Sequence, residues 1–466
     1  MTTATMTEPA AAGPAGIMSS RYRIATLGIV FVITLLAFEY MAVGTAMPVV
    51  ARDLDGLSLY AWAFSGPLIS SLVANVVSGV WADAHGPAAP LYTGLAIFVA
   101  GLVVAGTAGS MGVFVVGRIV QGAGVTIVPI YVIIARCYPE RLRAKIFAAT
   151  AAAWVVPSLI GPTAAGLIAE HLNWRLVFLG LIPLVVPAAL MLLPVLRYAG
   201  GAEPDRRPGA GRRTLAAVAM AGGAGALLYA AGHVAASAVI VVLALAGLAG
   251  LGLGLPRLLP SGTLRLGRGL PATVALRGLL AGAFIGMESF IPLAFTSLHG
   301  FTPTAAGLVL TAGALGWSAA SWYQARGNRS QTRMALAGAL FVAGGVIGSA
   351  LAVQGPGLLI VPTWIATGIG MGLAYPAVSV LVLGYSPPAE QGGNSAALQI
   401  VETLGGSLVV GLAGAIIAGF GPSLLGAGMA VSGLLTAVIA AIGVVAGSRV
   451  GRVGRVGDSG PVKEQS

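Results

Sequence analysis

The chain has very few charged residues for its length. Only 8% of its 466 residues are Asp, Glu, Lys or Arg, whereas 57% are hydrophobic, and the mean hydropathy is +0.93. A soluble globular protein carries about 25% charged residues, because water must solvate its surface. The shortage of charge excludes a large water-facing surface and predicts that lipid surrounds most of the chain.

Cysteine, histidine and several catalytic motifs are also scarce or missing. Cys137 is the only cysteine, which excludes an intramolecular disulfide and a cysteine-built metal site, and the four histidines are scattered. The sequence contains no G-x-x-x-x-G-K-S/T loop, no H-E-x-x-H and no aspartate-rich repeat suited to magnesium diphosphate. We therefore expect no metal, no cofactor, no ATP hydrolysis and no enzymatic activity.

Long apolar runs dominate what is present. A membrane-spanning helix needs about 20 mostly apolar residues. Six such runs precede a Gly-rich pair, and six more follow, so the sequence predicts an all-α, multi-pass membrane protein with fourteen spans. The predicted spans are 24–50, 60–82, 89–108, 111–135, 144–169, 174–196, 214–232, 235–255, 272–297, 303–325, 332–353, 357–384, 393–419 and 424–447.

The basic residues predict the orientation. If the N-terminus is cytoplasmic, 22 of the 25 Lys and Arg residues, Arg277 among them, fall in cytoplasmic tails and connections. Only Arg52 and Arg175 fall on the opposite side, and Arg118 lies within a helix. Such a bias is the usual signal for insertion, so it predicts cytoplasmic termini in a bacterial plasma membrane. The net charge of +11 then needs no nucleic-acid partner.

Similar residue patterns recur at a long interval. The patterns Gln121-Gly122-Ala123-Gly124 and Gly368-Ile369-Gly370 are each followed by Pro and then Tyr, at offsets of about 246, and Glu39 and Glu288 are 249 apart. Transporters built from two related halves have this kind of repeat. We therefore predict two six-helix bundles with two additional helices between them. The predicted segments are a disordered tail 1–22, a first bundle 23–197, Arg-rich linkers with two helices 198–270, a second bundle 271–447 and a tail 448–466.

Three acidic residues lie in apolar runs. A carboxylate at the bilayer centre costs roughly 2.5–3.5 kcal/mol on insertion scales, so such acids usually face a cavity. Glu39, Glu288 and Glu402 are therefore candidate proton sites, and Arg118 needs a carboxylate or carbonyl partner in the membrane. A structural role, in which each acid only holds neighbouring helices together, is the alternative.

Three motifs resemble those of the major facilitator superfamily, in particular its fourteen-helix branch of drug/proton antiporters. After the second predicted helix, Gly79, Asp83 and Gly86 resemble the signature loop, although Ala84, Pro87 and Ala88 replace its usual basic residues. The fourth helix contains Arg118-x-x-Gln121-Gly122-x-Gly124, and the fifth contains Pro157, Gly161-Pro162 and Gly166. The fourth-helix pattern resembles the motif associated with proton transfer, and the fifth-helix pattern resembles the antiporter motif.

The resemblance implies a proton-coupled exporter of lipophilic or cationic small molecules, with Arg118 tuning the proton site. Its glycines and prolines would allow close packing and bending during gating. Exporters of lipids or siderophores, an importer of the same superfamily, and a membrane-embedded lipid-modifying enzyme remain as alternatives. We expect a monomer whose partners are substrate, protons and lipid.

Polar and aromatic side chains complete the candidate cavity. Gln121 and Gln399 are candidate polar contacts, and aromatic walls suit flat or cationic ligands. The candidate aromatics are Tyr131, Trp154, Tyr375 and Trp364. Packing in the core or against lipid is the alternative for each of them.

Overall fold

A computed structural model describes residues 16–20, 22–125, 127–196, 210–233, 237–326, 329–387 and 390–451. Within these ranges the chain forms α-helices and short 3-10 turns and no strand. Most of the predicted tails and the Arg-rich segment 197–209 lie outside the described residues.

The helices follow one another with short connections. The first nine are α1 (Arg23–Asp53), α2 (Trp62–His85), α3 (Ala88–Gly106), α4 (Met111–Ala123), α5 (Ile127–Cys137), α6 (Glu140–Ala152), α7 (Val155–His171), α8 (Arg175–Leu179) and α9 (Ile182–Leu196). The others are α10 (Ala210–Ala231), α11 (Ala238–Leu258), α12 (Leu270–Glu288), α13 (Ile291–Ser297), α14 (Pro303–Ala325), α15 (Gln331–Gln354), α16 (Ile360–Tyr385), α17 (Gln391–Phe420) and α18 (Leu425–Arg449).

Thirteen helical segments of the described chain are long and apolar enough to cross a membrane. They confirm the all-α, multi-pass architecture and correspond to thirteen of the fourteen predicted spans. The remaining span, predicted at 303–325, forms the 23-residue helix α14, which is not among the thirteen. It packs against α7 and α16, where Gly, Ser and Thr permit close contact between helices but lower the hydropathy.

Four of the predicted spans are each divided into two helices close to a proline, at Pro129, Pro157, Pro183 and Pro292. Pro292 has no N–H, so it cannot donate to the carbonyl of Glu288 four residues earlier, and α12 ends there. Pro129 similarly leaves the carbonyl of Val125 without a helical donor, between α4 and α5. The interruption at Pro292 places Glu288 at a helix terminus rather than in a continuous helix.

Small residues allow the extra hairpin of α10 and α11 to close tightly. A Cβ added at Gly223 would lie 2.7 Å from the Gly247 carbonyl oxygen, so the two backbones are in direct contact. Helix α10 then packs on both α2 and α17. Met220, Leu72 and Leu404 meet in the small apolar cluster between these helices.

Helices before and after the hairpin meet extensively at one end of the molecule. The end of α7 packs along the start of α14, where a Cβ on Gly166 would lie 2.8 Å from the Pro303 carbonyl oxygen. Nearby, the Tyr60 hydroxyl donates to the Ser289 carbonyl at 3.0 Å. Both contacts lie at the end where α7 finishes and α14 begins, so the structure is closed on that side.

Candidate functional site

Glu39 and Arg118 form a buried ion pair between α1 and α4. The Arg118 Nη1 donates to Glu39 Oε1 and also to Gln121 Oε1, the latter at 2.7 Å. Its Nε donates to the Ala63 carbonyl at 3.1 Å. All three side chains are buried, and these contacts provide the partners that the sequence predicts for Arg118. Removing one partner would leave an uncompensated charge in a medium of low dielectric constant.

Gln121 lies inside this ion-pair cluster. Only 1% of the residue is exposed, and its Nε2 has no hydrogen-bond partner among the described residues. From the sequence, Gln121 is expected to be a polar contact of the cavity, whereas the structure places it against Arg118. Its geometry is that of a group that holds the guanidinium in place through Oε1.

A second intramembrane ion pair joins α12 and α17. Arg277 Nε and Nη2 both lie 2.8 Å from Glu402 Oε2, and Nη1 donates to the Tyr375 carbonyl at 3.3 Å. The guanidinium also stacks 3.5 Å above the centre of the Tyr375 ring. These contacts correct the sequence-based assignment of Arg277 to a cytoplasmic connection, because it lies seven residues inside α12.

Tyr40 lies where charged groups from both parts of the chain converge. Its hydroxyl interacts electrostatically with Glu39 on its own helix and with Glu288, Glu402 and Tyr375 from α12, α17 and α16. Glu288 is half-buried at the end of α12 and forms no ion pair with any residue that the structure describes. The three candidate carboxylates therefore all interact electrostatically with the same tyrosine.

A pocket of about 170 Å³ opens beside this cluster. Tyr131 and Trp154 lie in its wall, as the sequence analysis predicts for cavity aromatics, together with Ile33, Ile127, Phe147, Thr150 and Ala151. Trp154 stacks edge-on against Tyr40 at 6.2 Å between ring centres, and Tyr131 interacts electrostatically with Glu402. The aromatic pocket is thus connected with the cluster of carboxylates.

The other aromatic candidates have different surroundings. Tyr375 supports Arg277 rather than lining the pocket. Trp364 is fully buried and stacks on Phe284 at 4.8 Å, so it is a core residue rather than a cavity residue. Gln399 is exposed on α17, one turn before Glu402.

The glycines and prolines of the fifth predicted span contact two helices. Gly161 lies against Met41 and Phe38 of α1, and Pro157 is buried. Pro162 and Gly166 face α14, where the Pro162 carbonyl lies over Gly307. Their small volume lets α7 approach α14 closely, which is compatible with the predicted gating role.

The remaining candidate glycines lie at close approaches and a turn. Gly122 packs against Pro67 of α2, and Gly124 packs against the backbone of Phe98 in α3. Gly86 ends α2 with φ of 82°, a conformation that favours glycine. Asp83 is exposed in the last turn of α2, and Gly79 lies near Val128.

Sequence reasoning missed two residues of this site. Arg277 lies within the predicted span 272–297, and this position could have indicated a charged residue inside the membrane. It was instead counted among the cytoplasmic residues. Tyr40 follows Glu39 directly, and nothing in its sequence context distinguishes a tyrosine of the cavity from one of the core. Among the described residues no group of three or more His, Cys, Asp or Glu could hold a metal ion.

Comparison with known proteins agrees with this architecture. The model of the Major Facilitator Superfamily matches residues 29–410. A Mycobacterium tuberculosis protein named "Probable multidrug-efflux transporter" is 28% identical over 88% of this chain and 90% of its own length. The multidrug transporter protein MdtP of Bacillus subtilis is 29% identical over 37% of this chain and 32% of its own length.

Solved structures share the fold at low identity. An auto-inhibited peptide transporter of the POT family has a TM-score of 0.63 at 16% identity, covering 93% of this chain and 99% of its own. A bacterial homologue of the human lysosomal transporter Spinster, inward-facing and occupied, has a TM-score of 0.61 at 14% identity, covering 92% and 96%. With the family match across most of its length, the chain belongs to the Major Facilitator Superfamily and is a multi-pass membrane transporter of small molecules rather than an enzyme.

Proposed function

We propose that this chain exports lipophilic or cationic small molecules from a bacterial cell in exchange for protons, by alternating access. Relatives named as probable multidrug-efflux transporters support the direction of transport. The observation that carries the proposal is the convergence of Glu39, Glu288 and Glu402 around Tyr40, next to an aromatic pocket. Buried carboxylates in such a cavity can bind either a proton or a cation, so the two ligands compete.

The orientation completes the proposal. The bias of basic residues persists after Arg277 is moved into α12, since 22 less one leaves 21 on the proposed cytoplasmic side and two opposite. With cytoplasmic termini in the plasma membrane, the end closed by α7 and α14 faces outward. The conformation described above is then inward-facing, and Tyr131 and Phe147 at the pocket remain exposed.

The transport cycle follows from this geometry. We assign the rocking units to residues 23–197 and 271–447, with the segment 198–270 supplying linkers and the additional hairpin. A cation from the cytoplasm enters the pocket while a carboxylate of the cavity loses its proton. Rocking then separates α7 from α14 and opens the outer side, where protonation of the carboxylate weakens cation binding and releases the substrate. The protonated carrier returns to the inward-facing state.

Ethidium transport in everted membrane vesicles tests the proposal. The wild-type chain should accumulate ethidium when the vesicle lumen is acidic, and a protonophore should abolish the accumulation. Glu39→Gln should lower the rate about tenfold or more, equivalent to 1.4 kcal/mol, because Arg118 then places an unpaired positive charge beside the cavity. Glu140→Gln, at an exposed acid that begins α6, is the matched control.

Two results would contradict the proposal. Wild-type transport that persists with the protonophore would remove proton coupling. Full, protonophore-sensitive transport by the Glu39→Gln variant would show that transport does not depend on the Glu39–Arg118 pair.

A further inference from the structure

The five charged side chains of the two ion pairs and of Glu288 do not all have a partner of opposite charge among the described residues. Glu39 is paired with Arg118, and Glu402 is paired with Arg277. Each pair is held by further polar contacts from Gln121 or the Tyr375 carbonyl. Because both pairs are neutral as units, Glu288 is the one of these five described side chains that can contribute a net charge.

The surroundings of Glu288 confirm its isolation from cations. Helices α15 to α18 and the 3-10 turn Thr263–Arg265 pack against α12, and the described charged residues of these elements are Arg265, Arg333, Glu402 and Arg449. Arg265 lies just before the start of α12. The Arg449 carbonyl accepts from Gly269 at the start of α12, which at 1.5 Å per residue is about 27 Å from Glu288 along the helix axis. Arg333 begins α15 at the same end of the bundle.

Arg277 is also remote from Glu288. The two residues are eleven positions apart on α12, or about 16 Å along its axis. All the observed polar contacts of Arg277 are directed towards Glu402 and Tyr375. Tyr40 and Tyr375 also interact electrostatically with Glu288, and neither supplies a positive charge.

An unpaired carboxylate in this environment has two favourable states. An isolated charge within a membrane-spanning segment is costly even when it is half-buried, so the group either binds a proton or is paired with a cation. A monovalent cation neutralises Glu288 completely. A divalent cation would leave one positive charge uncompensated in the membrane interior, at a similar cost.

We infer that Glu288 alone exchanges its proton for substrate, that the exchange is one monovalent cation for one proton, and that Arg277 sets this limit by neutralising Glu402. This inference rests on the proposed function. The aromatic pocket supports the same substrate class, since Trp154 links it to Tyr40 and offers a π-face to a flat cation. Arg277 thus acts on charge selectivity although it does not itself bind the substrate.

Proton release on dye binding tests the role of Glu288. The purified full-length protein in weak buffer, at a pH where the empty carboxyl is protonated, should release one proton for each ethidium bound. Glu288→Gln should release none, whereas Glu140→Gln should match the wild type because Glu140 is exposed at the start of α6. Continued release of one proton by Glu288→Gln would overturn the inference.

The charge limit is tested with two dyes that share a ring system. Ethidium carries one positive charge and propidium carries two. Wild-type proteoliposomes should transport propidium at least about tenfold more slowly than ethidium, which corresponds to 1.4 kcal/mol. Arg277→Gln uncovers the charge of Glu402 and should raise propidium transport by about the same factor.

Two further variants separate charge from structure. Arg277→Lys keeps the positive charge and should still reject propidium, and Arg277→Gln combined with Glu402→Gln should lose the gained propidium transport. Equal transport of both dyes by the wild type, or a gain of propidium transport in Arg277→Lys, would overturn the inference. Wild-type transport of neither dye, or transport independent of a pH gradient, would instead contradict the proposed function.

Discussion

At the scale of single residues, the two ion pairs differ in how they can be recognised from sequence. Arg118 belongs to a motif in which a charged residue is expected, and its need for a partner is predictable. Arg277 lies near the start of its helix, where a basic residue is equally typical of a cytoplasmic flank. Only the packing of α12 against α17 shows that it is inside and that Glu402 is its partner.

The Glu39–Arg118 pair should contribute to stability mainly through mutual compensation. Arg118→Gln leaves Glu39 buried without its counter-ion, and breaking such a pair typically costs about 3–5 kcal/mol. Combining Arg118→Gln with Glu39→Gln removes both charges, so the double variant should be more stable than Arg118→Gln alone. Thermal unfolding of the purified variants in detergent measures this difference. If the loss of stability in the double variant equals the sum of the losses in the two single variants, the pairing is contradicted.

Trp154 should contribute to dye affinity through its position between Tyr40 and the pocket. Trp154→Ala removes a pocket wall and a π-face, and we expect it to raise the KM for ethidium about tenfold, a loss within the range of desolvated cation–π contacts. Trp322→Ala is the matched control, because Trp322 is exposed and stacks on Arg326 outside the pocket. An unchanged KM in Trp154→Ala would place the dye elsewhere.

At the scale of helices, hydrophobic runs predicted the elements better than their internal breaks. Lengths of apolar sequence predicted every long helix, including α14, whose small and polar residues follow from burial between α7 and α16. The breaks at Pro129 and Pro292 were not predicted, because proline inside a membrane helix can either bend it or end it. Tertiary packing decides between these outcomes, and in α12 the outcome positions Glu288.

The contact between α7 and α14 should determine which side of the transporter is closed. Gly166→Val places side-chain atoms where a Cβ alone would already lie 2.8 Å from the Pro303 carbonyl oxygen and Thr304 Cα. The substitution should therefore disfavour this closed end and shift the population of conformations towards opening there. Spin labels are placed at Leu172 and Leu358 in a Cys137→Ser background. The distance between the two labels should be longer in Gly166→Val than in the protein with Gly166.

A control and a contrary result define this experiment. Gly225→Val is the matched control, because a Cβ on Gly225 of α10 meets nothing within 4 Å. The label distance should stay unchanged in that variant. An unchanged distance in Gly166→Val as well would show that α7 and α14 do not form the gate.

At the scale of the whole molecule, the contacts that close one end of the transporter differ from those that hold its intramembrane charges. The closed end is built from backbone approaches and a few hydrogen bonds, among them those from Tyr60 to the Ser289 carbonyl at 3.0 Å and from the Thr304 N–H to the exposed Glu170 carboxylate at 3.1 Å. The two intramembrane ion pairs each lie within one half of the chain, Glu39–Arg118 between α1 and α4 and Glu402–Arg277 between α12 and α17. Rocking can therefore open the seam without breaking either pair.

The additional hairpin has a defined place in this arrangement. Helix α10 contacts α2 and α17, whereas α11 is largely exposed on its outer face. The sequence predicted two central helices but not their position, because Gly-rich apolar segments carry no signal for which neighbours they contact. The packing of α10 on one helix before the hairpin and one after it is visible only in the assembled fold.

The most direct test of proton-coupled exchange is to let a substrate gradient drive the movement of protons. Wild-type protein is reconstituted in vesicles with a trapped pH dye, and an ethidium gradient is imposed with no initial pH difference. We predict that ethidium leaving the vesicles drives protons inward and acidifies the lumen, with the effect lost in Glu288→Gln. Ethidium movement by the wild type without any change in lumenal pH would contradict the account.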